Sequence, residues 1–161
     1  KTCKKKKTIV DYLIYVAVVV ISIPALIATF YIPVIKHIPF IFVVGILYLA
    51  YQLILSRSVE YEYAVTNAYV DIDKIIAKRK RKRLFSADCR EFEIVAKVNS
   101  QHFNHNIKNI KNKIYAVSDM NSPDVYFFTA DTKQGKTVVY FEPDSKILEA
   151  LKTVIPRKVN V

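Results

Sequence analysis

The chain has 161 residues, 52% of them hydrophobic and 24% charged, with a formal net charge of +11. That much apolar surface excludes a disordered chain, and two cysteines exclude a disulfide scaffold. The length suits one domain with an appendage.

Residues 1–8 carry Lys1, Lys4, Lys5, Lys6 and Lys7 and no acid, which predicts a basic cytoplasmic arm. Residues 9–56 hold only Asp11 and Lys36 as charges. Tyr12 to Ile35 runs 24 residues without a charge. As a helix it covers about 36 Å, enough for a hydrocarbon core of about 30 Å. Ile38 to Ser56 is a second uncharged run, 19 residues long. Together they predict a transmembrane helical hairpin over residues 9–56, with spans at about 10–32 and 39–56. The turn falls at Pro33-Val-Ile-Lys-His-Ile-Pro39, where two prolines oppose a continuous helix and Lys36 and His37 favour water.

Pro24 is expected to kink the first span. Tyr12, Tyr15, Tyr31, Tyr48 and Tyr51 are placed toward the segment ends, where amphipathic rings prefer the interface. Lys4, Lys5, Lys6, Lys7, Tyr12, Tyr15 and Arg57 form the expected membrane interface, and Asp11 is expected to pair with a nearby lysine. A cleaved signal peptide is disfavoured, because the apolar run is too long and a second one follows. A soluble core helix is disfavoured because neither run has a polar face. Lysines precede the first span and basic residues follow the second, so both termini are expected in the cytoplasm and the protein in the cell (plasma) membrane.

Residues 57–161 predict a β domain. Val59, Tyr61, Tyr63 and Val65 alternate with Glu60, Glu62, Ala64 and Thr66, the period of a half-buried strand. Asn67 is the expected turn residue. Tyr69 to Ala77 follows as a strand, with Val70, Ile72 and Ile76 on one face and Asp71 and Asp73 on the other. Leu84 to Val98 gives one or two more strands. Phe103, Ile107, Ile110 and Ile114 fall at helical spacing, so a short helix or helical loop is placed within 100–113. Ile114 to Ser118, Val125 to Asp131 and Lys136 to Glu142 are β-rich, the last two joined by a loop with Gly135 at its demanding position. A C-terminal amphipathic helix spans 144–155, capped by Asp144 and stopped by Pro156. The expected domain has about six or seven antiparallel strands closed by that helix.

Strands followed by a capping C-terminal helix resemble the pleckstrin-homology-like (PH-like) fold. Tyr63-Ala-Val-Thr-Asn67 and the β-rich run after it resemble the start of bacterial PH-like domains, which often follow a pair of membrane spans. Tyr61–Asn67, Asp71–Ala77, Lys80–Leu84, Phe141-Glu-Pro143 and Pro156-Arg-Lys158 resemble an uncharacterised family of small clostridial-type membrane proteins, a domain of unknown function. Ala68 departs from the bacterial PH-like pattern, where a basic residue often follows the Thr-Asn pair. The resemblance implies a fold and no activity.

Lys78, Arg79, Lys80, Arg81, Lys82 and Arg83 form an unbroken basic run, without which residues 57–161 are neutral. Each such residue near an anionic leaflet contributes about 1 kcal/mol, so the run is the candidate lipid-headgroup contact. The other reading is a solvated hairpin that only sets topology. Nucleic acid is disfavoured, since no aromatic interleaves the run. Asp71 and Asp73 read as the solvated side of a strand, and His102 and His105 lack nearby further metal ligands. Cys89 reads as a core residue. Cys3 has no apolar run before it that would make a lipobox. No metal or cofactor motif is present, and Gly45 and Gly135 cannot form a phosphate loop. The expected function is a non-enzymatic, membrane-anchored binding or scaffolding module. Its partners would be anionic lipid and an unknown protein or further copies of the chain. The alternative is a small membrane enzyme or accessory subunit acting on a lipid or cell-envelope substrate through Asp71, Asp73 or a histidine.

Overall fold

The computed structural model describes residues 1–31, 39–132 and 135–160. The predicted turn at Pro33 to Ile38 lies outside the described residues, as does the middle of the 132–135 loop. The chain divides into two compact units, a helical one of Lys6–Ser58 and a β unit of Lys1–Lys5 with Val59–Val161.

The helical unit holds α1 (Ile9–Tyr31) and α2 (Pro39–Ser56). Thr8 and Asp11 form one half of a capping box, the Thr8 N–H donating to Asp11 Oδ2 at 2.9 Å. Asp11 is 6% exposed. Arg57, just past α2, pairs with it, Nη2 lying 2.7 Å from Oδ1. The guanidinium fork reaches the carboxylate through Nε as well, at 2.8 Å. Among the described residues one helix, α1, is long and apolar enough to cross a membrane.

The β unit begins earlier in the chain than expected. Within the expected basic arm of residues 1–8, Thr2–Lys4 forms a strand, β1. It pairs antiparallel with β2 (Val59–Thr66), setting Cys3 opposite Tyr61. β3 (Tyr69–Ile76) and β4 (Lys80–Asp88) complete a sheet of order β1-β2-β3-β4. The β2–β3 turn carries Asn67 and Ala68 at φ of 50° and 72°, the paired left-handed residues of a tight hairpin.

A second sheet has the order β6-β8-β7-β5-β9, from β5 (Phe92–Lys97), β6 (Asn112–Ala116), β7 (Tyr126–Thr132), β8 (Gly135–Phe141) and β9 (Val159–Asn160). The expectation of a wholly antiparallel set is corrected here, because β6 runs parallel to β8 and β9 parallel to β5. Both reach free sheet edges after long crossovers, the connection that parallel neighbours require. The described residues hold nine strands rather than six or seven. The added ones are short pieces at sheet edges.

The main core lies between the sheets. Tyr63, Ile72 and Phe85 meet Phe92, Val95, Phe128 and Phe141, and Ile147, Leu151 and Ile155 close it. Phe92 and Phe128 stack at 4.1 Å, and Phe85 and Phe141 each meet Phe128 at 5.2 Å. The other face of the second sheet is covered too, by Phe103, Ile107 and Ile110 over Phe127, Val138 and Tyr140. The expected short helix or helical loop lies here. Only one turn forms, α3 (His105–Lys108), capped by Asn104. Asn104, Asn106, Asn109 and Asn112 favour turns over helix interiors, and the loop meets the sheet without one. The closing helix α4 (Ser145–Val154) starts as expected, with Asp144 Oδ1 accepting from the Ile147 N–H at 3.0 Å.

A buried polar cluster joins the ends of the unit. Glu142, 6% exposed, accepts from Cys3 Sγ at 2.6 Å and from Ser118 Oγ at 2.8 Å. The Tyr63 hydroxyl donates to the Ala116 carbonyl and accepts from the Glu142 N–H. Burial pushes the Glu142 carboxyl pKa up, but hydrogen bonds from Cys3, Ser118 and Ser122 outweigh it and hold it below the usual value. Burial, then the neighbouring carboxylate, pushes the Cys3 thiol up.

A carboxyl whose folded pKa is depressed contributes stability above its unfolded pKa, and that stability is lost as pH falls through the folded pKa. Glu142→Gln is therefore expected to flatten the acid limb of stability against pH, read by thermal melts from neutral to acidic pH. Phe128→Ala removes the ring at the centre of the aromatic cluster and is expected to cost about 3–5 kcal/mol in chemical denaturation.

Candidate functional site

The six-residue basic run is split by the fold. Lys78 and Arg79 lie in the β3–β4 turn, and Lys80 to Arg83 begin β4. All six are exposed. Side chains alternate across a strand, so Arg81 and Arg83 share one face and Lys80 and Lys82 the other.

The arginine face is neutralised. Arg83 Nε bonds Asp73, and its Nη1 lies 2.7 Å from Asp71 Oδ1. Arg81 pairs with Glu62 and stands 3.6 Å from Asp73 Oδ2. Ser86 Oγ donates to Asp71 at 2.6 Å. Asp73 is 6% exposed, so the expected solvated aspartate pair is corrected to a set of ion-paired carboxylates. Its hydrogen bond from Arg83 raises the guanidinium pKa. A shift of register between Ile72 and Asp73 is the bulge that sets Asp73 opposite Arg83.

The lysine face is not neutralised. Lys74 pairs across the strands with Lys82, and Ile76 with Lys80. Among the described residues Lys74, Lys78, Arg79, Lys80 and Lys82 make no ion pair. Like charges directly opposite in a sheet are unfavourable, and the Lys74–Lys82 pair concentrates positive charge on this face. Lys74 was missed from the sequence because it lies outside the run. Only the strand register brings it there.

Connectivity gives this surface its place. The Lys5 N–H donates to the Val59 carbonyl at 2.9 Å, Val59 pairs with Ile76, and Ile76 with Lys80. The two strand ends that lead into the helical unit thus share one end of the sheet with the basic turn. At about 4.8 Å between neighbouring strands, the turn lies within roughly 10 Å of Val59.

The remaining interface candidates fall in both units. Lys4 lies on β1 and Lys5 follows it, in the β unit. Lys6, Lys7, Tyr12, Tyr15 and Arg57 belong to the helical unit. There Lys7 Nζ sits over the Tyr15 ring at 4.9 Å, and Tyr12 meets Tyr15 edge-on at 6.2 Å. Cys89 is fully buried in the core. His102 lines a cleft of about 500 Å³ with Glu93, Thr129 and Lys136, whereas His105 opens α3. The Lys136 hydrogen bond holds Glu93 below the usual carboxylate value, against the effect of burial.

The basic turn is also strained, with Ala77 and Lys78 at φ of 53° and 56°. Non-glycine residues in that region cost about 1–2 kcal/mol each. Lys78→Gly is accordingly expected to raise stability by about 1 kcal/mol in chemical denaturation while removing one of the unpaired cations.

No curated protein and no solved structure matches the chain. A family model described as a bacterial PH-like domain (DUF6106) matches residues 1–161. It agrees with an apolar helix near the start followed by a mostly-β unit with two sheets and a closing helix. The chain belongs to the bacterial PH-like domain family DUF6106, whose function is unknown.

Proposed function

We propose that this protein is a non-enzymatic binding or scaffolding module, anchored in the plasma membrane by its helices with both termini in the cytoplasm. Its β unit contacts anionic lipid through Lys74, Lys78, Arg79, Lys80 and Lys82. The observation that carries the reading is the meeting, at one end of one sheet, of the unpaired cations and both strand ends leading to the helices. An anchor attached at that end tethers the lysine face close to the leaflet on which α1 would begin. Five cations at about 1 kcal/mol each, within a Debye length of about 8 Å, suffice to hold the sheet edge there. Arg81 and Arg83 take no part, because bonds to Asp71, Asp73 and Glu62 already occupy them.

Amine labelling of the full chain in vesicles, read by mass spectrometry, tests this. Lys74, Lys78, Lys80 and Lys82 are expected to be protected in vesicles containing phosphatidylglycerol and open in purely zwitterionic ones. Lys146 and Lys152 of α4 serve as internal controls. Protection should vanish in 1 M salt, where the Debye length is about 3 Å. Arg81→Ser should leave the protection in place. Equal labelling in both lipids would sink the lipid contact.

A further inference from the structure

We infer that α2 carries a self-association face, on which a second copy of this chain packs in the bilayer through Gly45, Tyr48 and Gln52. The inference rests on the membrane reading above. The half-buried residues Val43, Ile46 and Ala50 recur at helical spacing along α2, and α1 is the helix packed on it. At about 100° per residue, Gly45, Tyr48 and Gln52 form a second stripe roughly opposite the first. Tyr48 there is 58% exposed and Gln52 is half-buried. Among the described residues nothing lies within 4 Å of where a Cβ on Gly45 would stand.

Polar chemistry decides what covers this face. Tyr48 is not near an end of α2, as expected from sequence, but is the tenth of its 18 residues. Its hydroxyl accepts from Gln52 Nε2 at 2.8 Å. That bond leaves the Gln52 carbonyl, its second N–H and the Tyr48 hydroxyl proton still to be satisfied. The hydroxyls of α1 differ. Ser22 and Thr29 each donate to a backbone carbonyl of their own helix at 2.6 Å and need no partner.

Polar side chains in a membrane span almost always face a neighbouring helix or water rather than lipid. Here they lie roughly opposite the stripe packed on α1, the other helix described in this unit. A carboxamide is both donor and acceptor, so two copies of Gln52 across a two-fold axis can satisfy each other, and a two-fold contact uses the same patch on both copies. Gly45, one to two turns away, lets the backbones approach. At 18 residues, α2 covers about 27 Å, slightly short of the hydrocarbon, a mismatch that pairing relieves.

The test uses the full chain in phosphatidylcholine–phosphatidylglycerol vesicles, with donor- and acceptor-labelled batches mixed and diluted with lipid. Energy transfer is expected to persist on dilution. Gly45→Leu and Gln52→Leu should each weaken the dimer about three- to tenfold, and Val20→Ala on the exposed face of α1 should leave it unchanged. Wild-type chains that resist alkaline carbonate extraction but show no transfer overturn the dimer alone. Transfer that survives both α2 substitutions places the contact elsewhere and also overturns it. A chain that carbonate strips from the vesicles overturns the membrane reading and this inference with it.

Discussion

A buried carboxylate holds the β unit together across its greatest sequence separation. Glu142 stands at the junction of β8 and α4 and accepts from Cys3, 139 positions earlier, and from Ser118 after β6. Its own N–H meets the Tyr63 hydroxyl, whose proton goes to the carbonyl that ends β6. Four segments therefore converge on one anion. An isolated carboxylate could not remain buried there, because desolvation would neutralise it. Ionised and fully bonded, it specifies where β1 docks, and a three-residue strand has little else to fix its register. Cys3 must stay a thiol for this, since a thiolate beside Glu142 would bring two anions together.

The same sorting of charge by local bonding organises the outer sheet. Register, more than composition, decides which cations are available. Arg81 and Arg83 fall over Asp71, Asp73 and Glu62, where planar guanidinium forks find carboxylates. Lys80 and Lys82 fall on the other face, where Lys74 adds to them. Arg81 and Arg83 thus serve the fold, while the lysines of the opposite face make no ion pair among the described residues.

How much of this was legible in the sequence depends on the surroundings of each element. β2 and β3 show alternation because one face of their sheet is polar. α4 announces itself through Asp144 and an apolar stripe. β7 shows no period because five successive residues, Tyr126 to Ala130, are buried by layers on both faces of the second sheet. β1 could not be read at all, since Cys3 is its one apolar residue and its pairing partner lies more than fifty positions away. Within the basic run the net charge was legible. The division into paired and unpaired cations depends on a bulge between Ile72 and Asp73, which no local pattern encodes. Lys74 and Glu142 were missed for the same reason: each acquires its role from strands that meet only in the fold.

Residues 6–58 enter and leave the β unit between Lys5 and Val59, which are hydrogen-bonded neighbours. Topologically, the helices are an insertion into the loop of a two-stranded hairpin, β1 with β2. A load transmitted along the helices therefore enters the sheet at two adjacent strand ends and opens the β1–β2 ladder one bond at a time. The main core is spared until β1 has peeled away. Cys3 sits in the middle of β1, so its bond to Glu142 must break before β1 can come away and is the point at which the peeling is resisted.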